Sequence, residues 1–405
     1  MILLRRRDFG LLWIGQLVSQ LGNQLNYVAL AWLVLTTTGS TTLTGGVFLA
    51  QILPNALFGW WAGVVVDRFP RRALMIAVDL LRGLLVLLIP LTAQTWIIFP
   101  VTFLVSSLSL MFYSAEKSLI PRLVEEDDLT EANAYAEMTA QAASLFGPVL
   151  AGLLVAWLSS PVHVLYIDAA SFVVSALALA FMRGRPEPGA TSPLTLRKLL
   201  AEAREGLSYL LRSRFLRLVF LTAMAGNFLA MPFAVLFPVF SERALRAGPQ
   251  GFGWLMGGVG AGMVLGSLAA APLARRLRPA TVIYAGMGLL GAAFALMSVA
   301  PNLPVSVLLA ALAGFGVAPG NAVVITLVQR TTPPQMHGRV FSSLFAMVGL
   351  AAPLGVTLAS PLVGLVGPRA MLLGLGCATL GVAALGYGLL SREQVPGVRR
   401  EPGWP

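Results

Sequence analysis

An all-α membrane protein of twelve transmembrane helices, set out as two pseudo-symmetric six-helix bundles, is the fold class that three observations predict. Hydrophobic residues make up 57% of the 405 and charged residues only 11%, well outside the range of a water-soluble domain. The apolar residues are gathered into runs long enough to cross a bilayer core, which asks for roughly 20 residues per helical span. The two halves of the chain also resemble each other at a nearly constant offset. Leu21-Gly22-Asn23 answers to Ala225-Gly226-Asn227, Asp67-Arg68 to Ala274-Arg275, and Arg122 to Arg330, the internal symmetry expected of a duplicated bundle.

The first six runs fall at 9–36, 42–66, 73–93, 96–118, 131–158 and 162–182. The second six fall at 215–241, 250–274, 280–300, 304–328, 335–364 and 369–390. Four regions follow: an N-terminal bundle over 1–182, a cytoplasmic linker over 183–214, a C-terminal bundle over 215–391 and a cytoplasmic tail over 392–405. Within the linker, Pro186, Pro188, Gly189 and Pro193 interrupt structure before Leu196, Leu199, Leu200, Ala203 and Leu207 recur at helical spacing, which predicts an amphipathic helix on the membrane surface.

Charge sets the orientation. The formal charge is +11, but the basic residues form short clusters between apolar runs and no continuous stripe, so they do not point to nucleic acid. If the N-terminus is cytoplasmic, all Lys and Arg residues fall on that side except Arg82, Arg243, Arg246 and Arg369. This is the positive-inside pattern of a multi-pass protein of the cell inner membrane, with both termini cytoplasmic. The three arginines Arg5 to Arg7 precede an apolar stretch that is too long for a cleaved leader and lacks a small-residue cleavage site, so it is read as a retained first helix.

Metal and cofactor chemistry find no sequence support. Cys377 stands alone, and His163 and His337 are isolated, so neither a disulfide framework nor a metal site is expected. Neither a phosphate-binding loop nor a nucleophile elbow is present. No cofactor and no enzymatic activity are expected.

Polar residues inside apolar runs are costly and usually face a cavity or a partner helix. Gln16, Gln20 and Asn23 recur at spacings of four and three in the first run and form one stripe. Asn227 holds the repeat-equivalent place in the seventh. With Asn55, Tyr113, Gln141 and Asn321 they are candidates for a substrate cavity whose other walls would be apolar, suited to an amphiphilic or apolar small molecule. Phe228, Met231 and Phe233, near Pro232 and Pro238, are further candidates for that wall. The ionisable residues within runs are Asp79, Arg82, Glu116, Glu137 and Asp168. Asp79 and Arg82 are three apart and can pair on one helix face. Glu137 shares a stripe with Asn133 and Gln141, which makes it the first candidate for a proton site, ahead of Asp79, Asp168 and Glu116.

Two local motifs complete the pattern. The loop "GVVVDRFPRR" contains Gly63, Asp67, Arg68, Arg71 and Arg72, and the fifth run contains "SLFGPVLAG" with Gly147, Pro148, Ala151 and Gly152. The loop resembles the G-x-x-x-D-R-x-G-R-R/K loop of the major facilitator superfamily, and "SLFGPVLAG" is similar to the G-P-x-x-G-G signature of that superfamily's exporters. Pro70 departs from the pattern, standing where the superfamily usually has glycine. The stretches "LWIGQLVSQLGNQ", "SLIPRLVEEDDLTEANAY" and "IDAASFVVSALAL" look like the branch that contains macrolide efflux proteins and the enterobactin exporter. The resemblance implies a monomeric secondary-active exporter of a small molecule, working by alternating access in exchange for protons. Asp67 and Arg68 would then latch a cytoplasmic gate. An importer on the same fold, and a membrane sensor or scaffold that transports nothing, are the rival readings.

Overall fold

The computed structural model describes residues 6–59, 66, 68–92, 94–183, 205, 207–333 and 336–390. Among these residues the chain is a succession of twelve long helices. They are α1 (Arg7–Thr38), α2 (Thr41–Phe58), α3 (Arg71–Thr92), α4 (Thr95–Leu123), α5 (Leu129–Trp157) and α6 (Pro161–Ala180). After them come α7 (Arg214–Ala244), α8 (Gly248–Arg276), α9 (Pro279–Met297), α10 (Leu303–Thr331), α11 (His337–Val366) and α12 (Pro368–Leu390). Eleven are long and apolar enough to cross a membrane, and α1 is the one that is not. Its polar stripe lowers its hydropathy, and that stripe builds the site described below.

Local chemistry starts and stops the helices where the sequence places turns. Ser40, Ser160, Ser213 and Asn302 cap α2, α6, α7 and α10, each side-chain oxygen accepting a main-chain N–H of the first turn, as short polar side chains do at this position. Gly39 ends α1 in the left-handed region, at φ 62°, and its N–H returns to Leu35 O, a stop that a side chain would strain. The seventh apolar run is expected over 215–241 with kinks at Pro232 and Pro238. It is interrupted at 231–232, beside Pro232, and closes in a wide turn over Phe240–Ala244 in which Leu245 N bonds Phe240 O at 3.0 Å. Proline removes the backbone bond that would have kept the helix continuous.

The residues pack as two units. The first comprises 1–193, 234–257 and 356–365. In it α1 lies against α5 and α6, α3 against α4 and α6, and α2 against α4, around a core that includes Phe9, Leu12, Met75, Phe112, Ile120 and Leu179. The second comprises 194–233, 258–355 and 366–405. There α9 lies against α10 and α12, with Phe215, Phe220, Ile283, Tyr284 and Val340 in the core. Gly258, Gly262 and Gly266 of α8 face the main chain of α10. A Cβ on Gly258 would stand 2.8 Å from Val307 O, one on Gly266 2.5 Å from Phe315 O, and one on Gly262 would overlap Ala311 O. Small residues at four-residue spacing let helix backbones meet in this way.

The outward faces are apolar. Leu84, Leu91, Leu268, Leu365 and Leu385 are all exposed, Leu365 at 80%. Such a surface would aggregate in water and is at home in lipid. Trp96 and Trp157 are also exposed, at the start of α4 and the end of α5, positions that alternation of the spans puts on the same side of the bilayer. That is where amphipathic indoles collect.

The opposite ends of α1 and α6 are tied by polar contacts. Asp8 Oδ1 accepts the Arg183 N–H at 3.0 Å, and Arg6 reaches Glu125 and Asp128 at 2.9 Å each. Arg72 donates from Nε to Leu179 O at 2.8 Å and from Nη2 to Ala180 O at 2.6 Å, so a cation sits on the last carbonyls of α6, where the helix dipole favours it. Replacing Arg72 by Gln should cost about 1–2 kcal/mol of stability. Thermal unfolding of the solubilised protein measures this, and an unchanged midpoint would show that the two bonds contribute nothing.

Of the motif residues, Gly63 and Asp67 lie outside the described residues, as does most of the linker. Arg68 is exposed and Arg71 is buried.

Candidate functional site

The site is built on α1. One helical turn separates Asn23 from Asn26 and Tyr27, and all three line a cavity of about 350 Å³ between α1, α2, α3 and α4. The helix pairs that enclose it are the ones that pack in the first unit. Opposite α1 stand Gln51 of α2 and Thr102, Ser106 and Ser109 of α4, with Leu30, Ile52, Val86 and Ile89 among the apolar walls. Gln51 Oε1 and Thr102 Oγ1 are buried and have no hydrogen-bond partner among the described residues. Buried polar atoms are ordinarily paired, so these two leave hydrogen-bonding capacity unused at the wall of the cavity. A mostly apolar pocket with a few converging polar groups holds an amphiphilic small molecule in a fixed orientation.

Behind the cavity lies a charged cluster. Asn23 Oδ1 accepts from Arg82 Nη2 at 2.7 Å, and Arg82 Nη1 pairs with Asp79 Oδ1 at 3.1 Å. Both side chains of the ion pair are buried, at 2% and 0% exposure. The Arg82 guanidinium stands 4.0 Å from the ring centre of Phe172 and 5.7 Å from that of Phe112, a favourable place for a cation without water. Asn26 Nδ2 donates to Asp168 Oδ2 at 2.6 Å. Gly22 makes this approach of α6 to α1 possible, because a Cβ there would overlap Ser171 Oγ and come within 2.8 Å of Asp168 Oδ1.

Of the candidate cavity residues, Asn23 lines this cavity. Gln16 faces a smaller recess with Glu116, Trp13 and Thr139, where Trp13 Nε1 donates to Thr139 Oγ1 at 2.8 Å. Gln20 is half-buried, its Oε1 without a hydrogen-bond partner among the described residues. Asn55 is exposed, one turn beyond Gln51 on α2, and Tyr113 is exposed with the Lys117 ammonium 5.3 Å from its ring centre. In the second unit Asn227 Nδ2 returns to Ala223 O at 3.3 Å, and Asn321 is exposed.

Among the ionisable candidates, Glu137 is exposed and accepts from Gln141 Nε2 at 2.9 Å, whereas Asp79, Glu116 and Asp168 are buried. Sequence reasoning passed over Asn26, Gln51 and the α4 hydroxyls. The signal that points to them is their place one turn from, or on the facing side of, the α1 stripe.

The α5 motif serves close packing within the first unit. Gly147, Pro148, Ala151 and Gly152 are all buried. Gly147 lies against the side chain of Gln24, a Cβ on Gly152 would stand 2.5 Å from Pro249 O, and one on Gly253 would stand 2.5 Å from Pro148 O.

A family model described as transmembrane secretion effector matches residues 2–397. The chain belongs to that family, within the major facilitator superfamily. Curated relatives align over nearly its full length. The multidrug efflux pump Tap of Mycolicibacterium fortuitum is 28% identical over 394 residues, covering 94% of this chain and 96% of the relative. Macrolide efflux protein A of Streptococcus pyogenes is 25% identical, covering 87% and 88%.

Solved structures agree on the fold. The nucleoside transporter NupG superposes with a TM-score of 0.77 at 13% identity, over 95% of this chain and 100% of that one. A bacterial homologue of the iron transporter ferroportin gives 0.72 at 16%, over 95% and 98%. The chain therefore has the major facilitator fold and is a multi-pass membrane transporter of small molecules, as its resemblance to that superfamily implies.

Proposed function

We propose that this transporter is a secondary-active exporter of amphiphilic or hydrophobic small molecules, working by alternating access in exchange for protons. It would act as a monomer in the cell inner membrane, with both termini cytoplasmic. The observation that carries this reading is the 350 Å³ chamber, whose wall is mainly apolar yet holds Asn23, Asn26, Gln51 and Thr102. Such a chamber accepts ligands of varied shape and orients them with a few amides and a hydroxyl. The relatives named as multidrug and macrolide efflux pumps support the direction of transport.

The test is a drug-susceptibility and efflux panel in a host stripped of its own pumps, with transport in inverted vesicles under an imposed pH gradient to fix direction. Accumulation into inverted vesicles that collapses with the gradient supports export. Uptake in the opposite sense favours an importer, and no transport of any compound would sink the reading in favour of a sensor or scaffold. By the same proposal Asp67 latches the cytoplasmic gate. Asp67→Ala is expected to lower efflux about tenfold, the effect of one lost contact of about 1.4 kcal/mol in a single conformational state. Membrane levels of the protein should not change, and unaltered efflux would remove the latch from the account.

A further inference from the structure

The charged cluster of α1, α3 and α6 has a count that does not close. Two carboxylates, Asp79 and Asp168, surround one guanidinium, Arg82, and all three are at most 2% exposed. Asp79 is bonded directly to Arg82 at 3.1 Å, and Asp168 lies in the field of the same cation. With both acids ionised the cluster would hold a net negative charge away from water, which is strongly disfavoured. A single added proton makes it neutral. The place for it is Asp168, because Asp79 is the acid in direct contact with the guanidinium. Asp168 Oδ2 takes the Asn26 amide, and Asp168 Oδ1, like Asp79 Oδ2, is buried with no hydrogen-bond partner among the described residues, so the direct contact of Asp79 with Arg82 is what tells the two acids apart.

Other groups do not supply the missing charge. From α1 the cluster meets Asn23 and Asn26, which are neutral, and from α3 Asp79 and Arg82 themselves. From α4 it meets Phe112 through Arg82, while Glu116 sits in the separate recess beside Gln16. On α5, Glu137 is exposed and bonded to Gln141. On α6 itself the neighbours are Ser171, whose Oγ donates to Asp168 O at 2.7 Å, Phe172, and the neutral hydroxyl of Ser175 beside Asp79.

The same two asparagines that hold the cluster also line the cavity. Asn23 offers its carbonyl oxygen to Arg82 and Asn26 its amide to Asp168, and each side chain borders the 350 Å³ space. We propose that Asp168, Arg82 and Asp79 form a one-proton store that Asn23 and Asn26 couple to the cavity, so that a ligand taking those amides releases the proton. In that step the Asp168 Oδ1–H bond breaks and the proton passes to water in the cavity. Arg82 turns toward the carboxylate left behind as Asn23 is withdrawn, so one guanidinium then serves two carboxylates, and the negative charge in excess favours the return of a proton once the ligand leaves. Because linkage is reciprocal, filling the store weakens ligand binding by the same factor. This inference rests on the proton-exchange reading above and assigns its coupling site to Asp168 in place of Glu137.

Infrared difference spectroscopy of the full chain in liposomes, stepped between acidic and alkaline pH, reads protonated carboxyl groups without any substrate. The carbonyl band of one protonated carboxyl in the cluster is expected in the unmodified protein, beside that of any other buried acid such as Glu116; the cluster's band is absent in Asp168→Asn and kept in Glu116→Gln and Glu137→Gln. Arg82→Gln removes the guanidinium that balances one of the two acids, so the store should hold two protons in place of one and its band should double. Asn26→Leu should shift the titration midpoint by about one pH unit, a tenfold change in proton affinity. The proposal is overturned by a missing band in the unmodified protein, a band that Asp168→Asn leaves undiminished, a band lost altogether in Glu116→Gln or Glu137→Gln, or an unmoved midpoint in Asn26→Leu. Since no transported compound enters the measurement, failed efflux with an intact band would sink only the exporter reading.

Discussion

Replacing Arg82 by Leu should destabilise the first unit by about 3–5 kcal/mol, because it leaves Asp79 without its counter-charge in a site that excludes water, so that its carboxyl must take a proton on folding or stay charged there. Asp79 and Arg82 are paired at 3.1 Å and almost completely buried. Removing the guanidinium also takes a donor from Asn23 and the cation from the faces of Phe112 and Phe172. The midpoint of thermal unfolding in detergent is expected to fall by about 10 °C. Replacing both residues by Leu should recover most of that loss, since an apolar pair of similar volume can substitute for a buried ion pair. A double replacement as unstable as the single one would show that the damage comes from lost shape rather than from the orphaned charge.

The second large effect is expected at Gly262→Leu, in the other unit. A Cβ at this position would overlap Ala311 O, and a Leu side chain extends further toward Phe315 N. The obstacle is main chain, which cannot swing aside as a flexible side chain can. The two helices must separate, losing contacts along the flanking Gly258 and Gly266 as well. The expected cost is about 3 kcal/mol, the upper end for overpacking. Gly288 meets nothing within 4 Å, so Gly288→Leu serves as the control and should leave the thermal midpoint nearly unchanged. Equal effects at the two positions would remove the close backbone approach as the cause.

The helices were legible in the sequence because a bilayer demands one signal, an apolar run of fixed minimum length, and loops supply the breaks. The pairing of Asp79 with Arg82 was legible for the same local reason, since a spacing of three places them on one face of α3. What joins Asn26 to Asp168 was not, because the two lie on helices far apart in sequence and nothing in either run specifies the other. Periodicity aligned Glu137 with Gln141, and those two side chains do bond, but a period alone does not say whether a face is buried. Asn55 and Gln51 illustrate the same limit on α2. They are one turn apart, yet Gln51 lines the cavity and Asn55 is exposed. The break in α7 was half legible, since Pro232 marks the place but not the wide turn over Phe240–Ala244 that follows.

The weak hydropathy of α1 has a consequence for how the protein is made. A helix carrying Gln16, Gln20, Asn23 and Asn26 gains little from entering lipid alone, and among the described residues Asn23 and Asn26 find charged partners on α3 and α6. During synthesis those partners leave the ribosome later, so the polar face of α1 stays without its full set of partners until residue 168 has been made. Folding of this half is thus gated by the arrival of its sixth span, and truncations that end before it should be cleared by membrane proteolysis rather than accumulate.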